Sequence, residues 1–316
     1  MSIPRQLLRD IVRSPWTAPL DPLLRRAAFA VVAAYKAANP TLSQPAKRTL
    51  DLCYANGRPL LLGHRGAMAR APENTLGAFR AALDDGARGV ELDVTLSGDS
   101  IPVVLHDDTL DRTTNTVGKP TDFDAAELAA LDAGSWFPGW GVEIVPSLAQ
   151  VFQAMPDGAV VNVELKGPTP AYVCLERRVV DVIRTVAAQR VHVIVSSFHP
   201  SQLLEVRRIA PEMPIGLLMA EDSVLPSRTG WTATLLVPDA VHPPARMVDR
   251  SFVDGCRAAG MRVHVWAVPS TSEAQRLLDL GVDGLIVDDV AAMAPLFRQG
   301  QSSNCSRSFS PEEPSP

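Results

Sequence analysis

Residues 61–96, "LLGHRGAMARAPENTLGAFRAALDDGARGVELDVTL", read as a buried strand, a helix and a second buried strand. The apolar run at 59–64 shows no alternation with polar residues, and in "NTLGAFRAALDDG" (74–86) the apolar residues recur three and four apart. "GVELDV" (89–94) is again a short apolar run, interrupted only by Glu91 and Asp93. Strands apolar on both faces and joined by a helix pair in parallel, so the stretch forms one βαβ unit.

The same rhythm continues outward from this unit. Further runs rich in Val, Ile and Leu are "AVVNVELK" (159–166), "VHVIVSSF" (191–198), "MPIGLLMA" (213–220), "ATLLVPDA" (233–240), "MRVHVWAV" (261–268) and "DGLIVDD" (283–289). Helical patterns separate most of them, at 172–190, 199–211, 245–260 and 271–281; the connection after the fifth run is the least helix-like. Eight such units over about 240 residues predict a (β/α)8 barrel spanning 58–298. A doubly wound open sheet is the alternative. It is expected to carry a Gly-rich phosphate turn after an early strand, and neither G-x-G-x-x-G nor a P-loop occurs.

At 46% hydrophobic and 21% charged, the 316 residues have the composition of a folded protein. A net charge of −5 argues against nucleic-acid binding, which needs a basic surface to displace counterions. Cys53, Cys174, Cys256 and Cys305 follow no zinc or disulfide spacing, which favours a reduced, cytoplasmic setting. No run reaches the roughly 18 apolar residues of a spanning helix. Ala27–Tyr35, behind Arg25 and Arg26, starts late for the apolar part of a signal peptide, so secretion is the lesser reading.

Residues 1–50 hold eight Lys or Arg against two Asp, a charge of +6. Ile3, Leu7, Leu8, Ile11 and Val12 fall at helical spacing, and Leu20, Leu23, Leu24, Ala27, Val31 and Tyr35 repeat the pattern. Residues 1–57 are therefore expected to be a basic, amphipathic helical extension. It either covers the outside or the bottom of the barrel, or makes peripheral contact with anionic lipid through residues 1–40. Residues 299–316, polar and rich in Ser and Pro, read as a disordered tail.

Working residues of a barrel sit at the carboxyl ends of its strands. Those ends carry His64 and Arg65 after the first strand, Glu91 and Asp93 on the second, Glu164 and Lys166 on the third, Ser197 on the fourth, and His264 and Trp266 on the seventh. Glu91 and Asp93 leave the same strand face about 6–7 Å apart. Carboxylates inside a barrel mouth are destabilised by desolvation and mutual repulsion, which a divalent cation relieves. With Glu164 they make an oxygen-only set suited to Mg2+, Ca2+ or Mn2+. The alternative pairs these acids with Arg65 and Lys166 as buried ion pairs. His106 follows another short strand in "PVVLHD", and two histidines beside three carboxylates suit general acid and base chemistry. "PENT" places Asn74 at a helix N-cap, and His199, His242 and His264 read as structural.

"GHRG", "PENT", "ELDV", "PVVLHD", "L-x-RTT", "ELK", "SSF" and "GVDG" occur in this order across residues 60–290, and together they resemble the glycerophosphodiester phosphodiesterase family. The resemblance implies a TIM barrel with a short insertion after its second strand, here about 97–145. It implies that Glu91, Asp93 and Glu164 hold one divalent cation, Mg2+ or Ca2+ with Mn2+ as a further option. His64 and His106 resemble the family's acid–base pair, Arg65 and Lys166 its phosphate clamps, and Trp266 its aromatic wall beside the substrate. Two strand endings depart from the family pattern, "VHVWAVPS" and "VDDVAAM", and bear on the alcohol side of the substrate rather than on the metal or histidine set.

The implied reaction is hydrolysis of small-molecule glycerophosphodiesters to sn-glycerol 3-phosphate and an alcohol. The basic arm motivates a second reading, a lysophospholipase D or sphingomyelinase D-like enzyme at a membrane. A third, a non-catalytic barrel that binds phosphodiesters, is disfavoured because no motif acid or histidine is missing.

Overall fold

The computed structural model describes residues 21–39, 44–54, 57–167, 174–187, 190–221 and 229–298. Two helices, α1 (Asp21–Ala38) and α2 (Gln44–Cys53), precede the first strand. The strands are β1 (Leu60–Gly63), β2 (Gly89–Leu96), β3 (Pro102–Val104), β4 (Val160–Leu165), β5 (His192–Ser197), β6 (Ile215–Leu218), β7 (Ala240–His242), β8 (Arg262–Val265) and β9 (Gly284–Val287). All but β3 run parallel, and β9 returns to pair with β1, which closes a (β/α)8 barrel. The outer helices are α3 (Leu76–Asp84), α4 (Leu148–Ala154), α5 (Leu175–Val182), α6 (Pro200–Ile209), α7 (Thr232–Leu236), α8 (Arg250–Ala258), α9 (Thr271–Leu280) and α10 (Val290–Arg298).

Strand alternation sorts the side chains into two cores. On β2, Val90, Leu92 and Val94 join the cluster that contains Phe79 and Ala82 of α3, while Glu91 and Asp93 take the other face. Leu60, Leu62, Val160, Ile194 and Ile286 fill the barrel interior with Leu50 and Cys53 of α2. β2 extends beyond the rim, where β3 pairs antiparallel with Val94–Leu96. The chain between β2 and α4 forms a lobe with its own core of Val103, Leu105, Leu110, Leu128, Ala133 and Val145.

The sixth barrel strand differs from expectation. The first half of "ATLLVPDA" is helical: Ala233 and Leu236 are buried three apart, Leu235 points out, and Val237 takes a left-handed φ of 46° ahead of Pro238. The strand is β7, the three residues Ala240–His242. A short apolar run bounded by Pro fits a buried helix turn as well as a strand, and periodicity alone does not separate them.

At five residues, α7 is too short to cover the sheet outside β6 and β7, and α1 fills the gap against α7 and α8. Arg25 donates to the carbonyl of Met247 (3.2 Å) just past β7, and Lys36 to those of Pro238 (2.9 Å) and Gly260 (3.0 Å) just before β7 and β8, so the helix runs the length of the barrel. The buried stripe is Ala28, Phe29 and Val32, not the expected Leu23, Val31 and Tyr35, which lie exposed. Phe29 decides this: its ring meets Phe252 edge-on at 5.5 Å and lies over Gly255, where an added Cβ would come within 3.1 Å of it. The pattern at residues 3–12, Leu20, Cys305 and the tail 299–316 lie outside the described residues.

α2 closes the bottom of the barrel. Behind it, the Tyr54 hydroxyl contacts His264 Nε2, and His264 Nδ1 lies 3.0 Å from His242 Nε2. Both imidazoles are fully buried; burial pushes His264 down to about 4 and His242 well below the usual range. A histidine whose folded pKa lies below its unfolded 6.5 stabilises the fold fully above that value, and the contribution is lost as pH falls from 6.5 towards 4. Between pH 7 and pH 5, His264 should therefore take away about 2 kcal/mol of unfolding free energy. Urea unfolding at the two pH values checks this: the drop should be smaller by about that amount in His264→Gln than in the wild type.

Candidate active site

The first turn after β1 is built on backbone requirements. In "GHRG", a Cβ on Gly63 would lie 2.6 Å from the Gly66 carbonyl, and one on Gly66, at φ +88°, 2.6 Å from the Ala78 backbone. Between them Arg65 adopts a left-handed φ of 50°, as does Asn74 at 60°, and the Asn74 amide donates to the Arg65 carbonyl at 3.0 Å. Two such non-glycine residues tied together fit a site whose geometry is held by its surroundings.

Glu91, Asp93 and Glu164 point from β2 and β4 into the mouth, with one oxygen of each within 4.8 Å of the others. Lys166 Nζ lies 3.3 Å from Asp93 and 2.8 Å from Glu164, and Arg65 Nε 3.2 Å from Asp93. The ion-pair alternative thus describes two of the three acids. Glu91 is different: it accepts from the Arg65 amide at 3.1 Å, and among the described residues its side-chain ion-pair partner is His64 at 3.9 Å, with the Arg65 guanidinium acting from farther off. Burial first, and then the Asp93 charge, push its carboxyl up to about 8. Glu164 is raised for the same two reasons, whereas Lys166 and Arg65 hold Asp93 down against its burial. The cluster is one positive charge short. An oxygen-only, anionic donor set of this kind fits a hard divalent cation.

Each histidine of the expected pair has its own carboxylate. His64 Nδ1 lies 2.6 Å from Asp288, at the end of β9; burial alone would lower the imidazole, but the Asp288 hydrogen bond and the Glu91 charge outweigh it and raise the pKa. His106 arrives by the β2–β3 hairpin, with the next residue back anchored through the Leu105 amide to the Asp93 carbonyl (3.1 Å). Its Nδ1 lies 2.7 Å from Asp107, and burial lowers its pKa.

Arg112 ties these parts together. It takes both oxygens of Glu73 at 2.7 and 2.8 Å and both of Asp107 at 2.6 and 3.0 Å, while Glu73 also receives Arg65 at 2.8 Å. Asn74 is not the helix cap: Thr75 accepts from the Ala78 amide (3.1 Å), and Asn74 donates to Asp93 (2.9 Å) and accepts from its amide (3.3 Å). Trp266 stands across the mouth, edge-on to Phe198 at 5.8 Å, with its indole N–H on the His242 carbonyl (2.8 Å). Beyond it opens a cavity of about 1080 Å3 lined by Glu221, Pro244, Arg246, Trp266, Ser270 and Glu273.

His64, Arg65, Glu91, Asp93, His106, Glu164 and Lys166 therefore converge on one mouth. Ser197 instead donates to the Leu165 carbonyl (3.1 Å) and accepts from the His199 amide (3.0 Å), and His264 lies in the floor. The sequence reading left out Asp288, Glu73, Asp107 and Arg112. Asp288 was within its reach, as a polar residue at the end of the eighth strand.

The chain matches the family model described as "Glycerophosphoryl diester phosphodiesterase family" over residues 64–292. It is 36% identical over 246 residues to a glycerophosphodiester phosphodiesterase of Caldanaerobacter subterraneus subsp. tengcongensis, covering 77% of this chain and 99% of that protein. Among solved structures, a phosphodiesterase from Oleispira antarctica in complex with the product sn-glycerol-3-phosphate superposes with a TM-score of 0.67 at 30% identity, over 77% of this chain and 98% of that one. A glycerophosphodiester phosphodiesterase from Agrobacterium tumefaciens gives 0.63 at 27% identity, over 75% and 99%.

The uncompensated carboxylate has a measurable consequence. In EDTA at pH 9, above the raised pKa of Glu91, Glu91→Gln should melt above the wild type, because a like charge leaves the cluster. A divalent cation at a hundred times its dissociation constant should stabilise the wild type by about 2.7 kcal/mol and the variant far less. Thermal melts with and without Mg2+, Ca2+ and Mn2+ decide it; a variant that melts lower and responds equally to the cation refutes the charge deficit.

Proposed function

From the premise that the chain belongs to the glycerophosphoryl diester phosphodiesterase family, and is a phosphoric diester hydrolase, we propose that it cleaves glycerophosphodiesters to sn-glycerol 3-phosphate and an alcohol. Glu91, Asp93 and Glu164 hold one divalent cation, Mg2+ or Ca2+ with Mn2+ as an alternative, and His64 and His106 move the protons. The observation that carries this reading is the charge-deficient carboxylate cluster between two histidines, each hydrogen-bonded to its own aspartate.

A phosphodiester resists attack because its anionic oxygens repel an incoming nucleophile. A bound cation supplies the neutralising charge for those oxygens. Arg65 and Lys166, shared among carboxylates in this state, are the protein's own cations at the same place and steady the charge that grows as the bond to phosphorus breaks. One histidine accepts the proton of the attacking hydroxyl, from water or the glycerol 2-position, and the other returns one to the departing oxygen; attack by the 2-hydroxyl leaves a cyclic phosphate, which a water then opens to sn-glycerol 3-phosphate with the histidine roles reversed. The opposite pKa shifts of His64 and His106 are what such a pair requires. Asp288 and Asp107 fix which ring nitrogen faces the mouth. The cavity beyond Trp266 has room for the alcohol half of the substrate.

Incubating EDTA-stripped protein with glycerophosphocholine and each divalent cation in turn should give metal-dependent sn-glycerol 3-phosphate. His64→Ala, His106→Ala and Glu91→Ala should each lower the rate by about 10²–10⁴-fold. Choline release from lysophosphatidylcholine without turnover of glycerophosphocholine would move the reaction to a lysophospholipase D, and silence on both would leave a binding module. Arg112→Gln should lower kcat by about 10–100-fold with a smaller effect on KM, because it releases Asp107 and Glu73 without touching substrate.

A further inference from the structure

Helix α1 is apolar nearly all the way round. Its inner face is buried on the barrel, yet Leu23, Ala27, Ala30, Val31 and Ala34 turn outwards, Leu23 at 65% exposure, and Arg26 is the sole charged residue among the exposed positions of the helix. A helix apolar on every side is ordinarily covered on every side. The neighbouring elements extend this face. Leu204 of α6, Trp231 ahead of α7 and Leu235 within it are exposed as well, Leu235 at 72%. Tyr35, Leu204 and Leu235 line one shallow crevice of about 280 Å3, with Lys36 and Arg207 as its charged members. A contiguous apolar patch of this kind on a protein surface marks an interaction site.

We propose that this flank is a docking surface for an anionic phospholipid bilayer. Charge selects the occupant. α1 and α6 together carry five Arg or Lys against Asp21 and Glu205 in a chain whose net charge is −5; Arg26 stands at the surface, Arg208 pairs with Glu205, and Arg25, Lys36 and Arg207 back the face from within, bound to Met247, Pro238 and Asp239. A second copy packed two-fold on the same face would set those cations against their own counterparts. Residues 1–20 hold Arg5, Arg9 and Arg13 against Asp10, so they would meet the same repulsion if they lay on the face, and they reinforce it if they lie beside it. A bilayer with acidic headgroups satisfies both halves of the pattern: negative charge at its surface, and apolar depth for Leu23, Val31 and Leu235. Tyr35 and Trp231 are the side chains favoured at that boundary. α1 precedes the 64–292 family segment, so the α1 part of the face lies outside the matched barrel, while α6 and α7 belong to it. The inference is independent of the catalytic reading.

Flotation of the full chain decides it, using vesicles of phosphatidylcholine alone and of phosphatidylcholine with one third phosphatidylglycerol. The protein should float with the anionic vesicles, about tenfold less with the neutral ones, and less again in high salt. Leu23→Glu combined with Val31→Glu should lower the bound fraction about tenfold, and both sites are exposed, so the melting temperature should hold within about 2 °C. Three results overturn the proposal. A monomer that ignores anionic vesicles is what is expected if the chain's own first 20 residues lie on the face. Binding unchanged by the two substitutions places the contact elsewhere. A dimer in light scattering that the same substitutions dissolve assigns the face to a second copy.

Discussion

Three carboxylates buried at one end of a barrel repel each other, and the rest of the mouth is arranged around that repulsion. The arrangement is economical in cations: Lys166 serves Asp93 and Glu164, and Arg65 serves Asp93 and Glu73. Arg112, on the lobe, relieves Arg65 of part of Glu73. Glu91 receives an amide and the edge of an imidazole, and burial leaves it poised near neutrality. Replacing the set by an apolar core would remove the strain and the chemistry together, since a buried ionic cluster is weak evidence of stability and stronger evidence of use.

The floor of the same barrel is polar in a different way. Tyr54, His264 and His242 form a chain of contacts that stays neutral, sealed below by α2. The carboxylate cluster sits at the mouth, and the depth is filled by Leu60, Leu62, Val160, Ile194 and Ile286. The two N-terminal helices complete what the barrel lacks: α2 closes the floor, and α1 stands where the five-residue α7 leaves the sheet uncovered. Phe29 between Gly230 and Gly255 gives α1 a specific seat, which an amphipathic pattern alone does not define.

Most of the barrel was legible because strands buried on both faces and helices at period 3.6 leave different marks on a sequence. The acids of β2 and β4 were legible for a related reason: a charge in an apolar strand requires an explanation. The failures have physical causes. "ATLLVPDA" is too short for its period to speak, and only the left-handed Val237 and the following Pro238 separate α7 from β7. The outward stripe of α1 has better spacing than the inward one, and the decision fell to one aromatic ring meeting glycines some 200 residues away in sequence. Asn74 looks like a cap because Asn caps helices, yet the neighbouring threonine does so and frees it for Asp93. Glu73, Asp107 and Arg112 lie within "PENT", "PVVLHD" and "L-x-RTT", but nothing in those stretches says that the three meet; their role exists through one another.

That last group explains how two histidines on separate supports come to share one site. His64 stands on the tight turn after β1, held by Asp288 of the barrel. His106 stands on the lobe, at the end of a hairpin whose partner strand is the projecting end of β2. The distance between a proton donor and acceptor must hold to within a fraction of an ångström for both to reach one phosphate, and a hairpin on a rim is a compliant mount. Arg112 stiffens it. Its guanidinium grips Asp107, which orients His106, and in the same plane grips Glu73, which holds Arg65 beside His64. A lysine in its place would have charge enough for either carboxylate but not the fixed fork that spans both, so the planar geometry of arginine, rather than its charge, couples the lobe to the barrel.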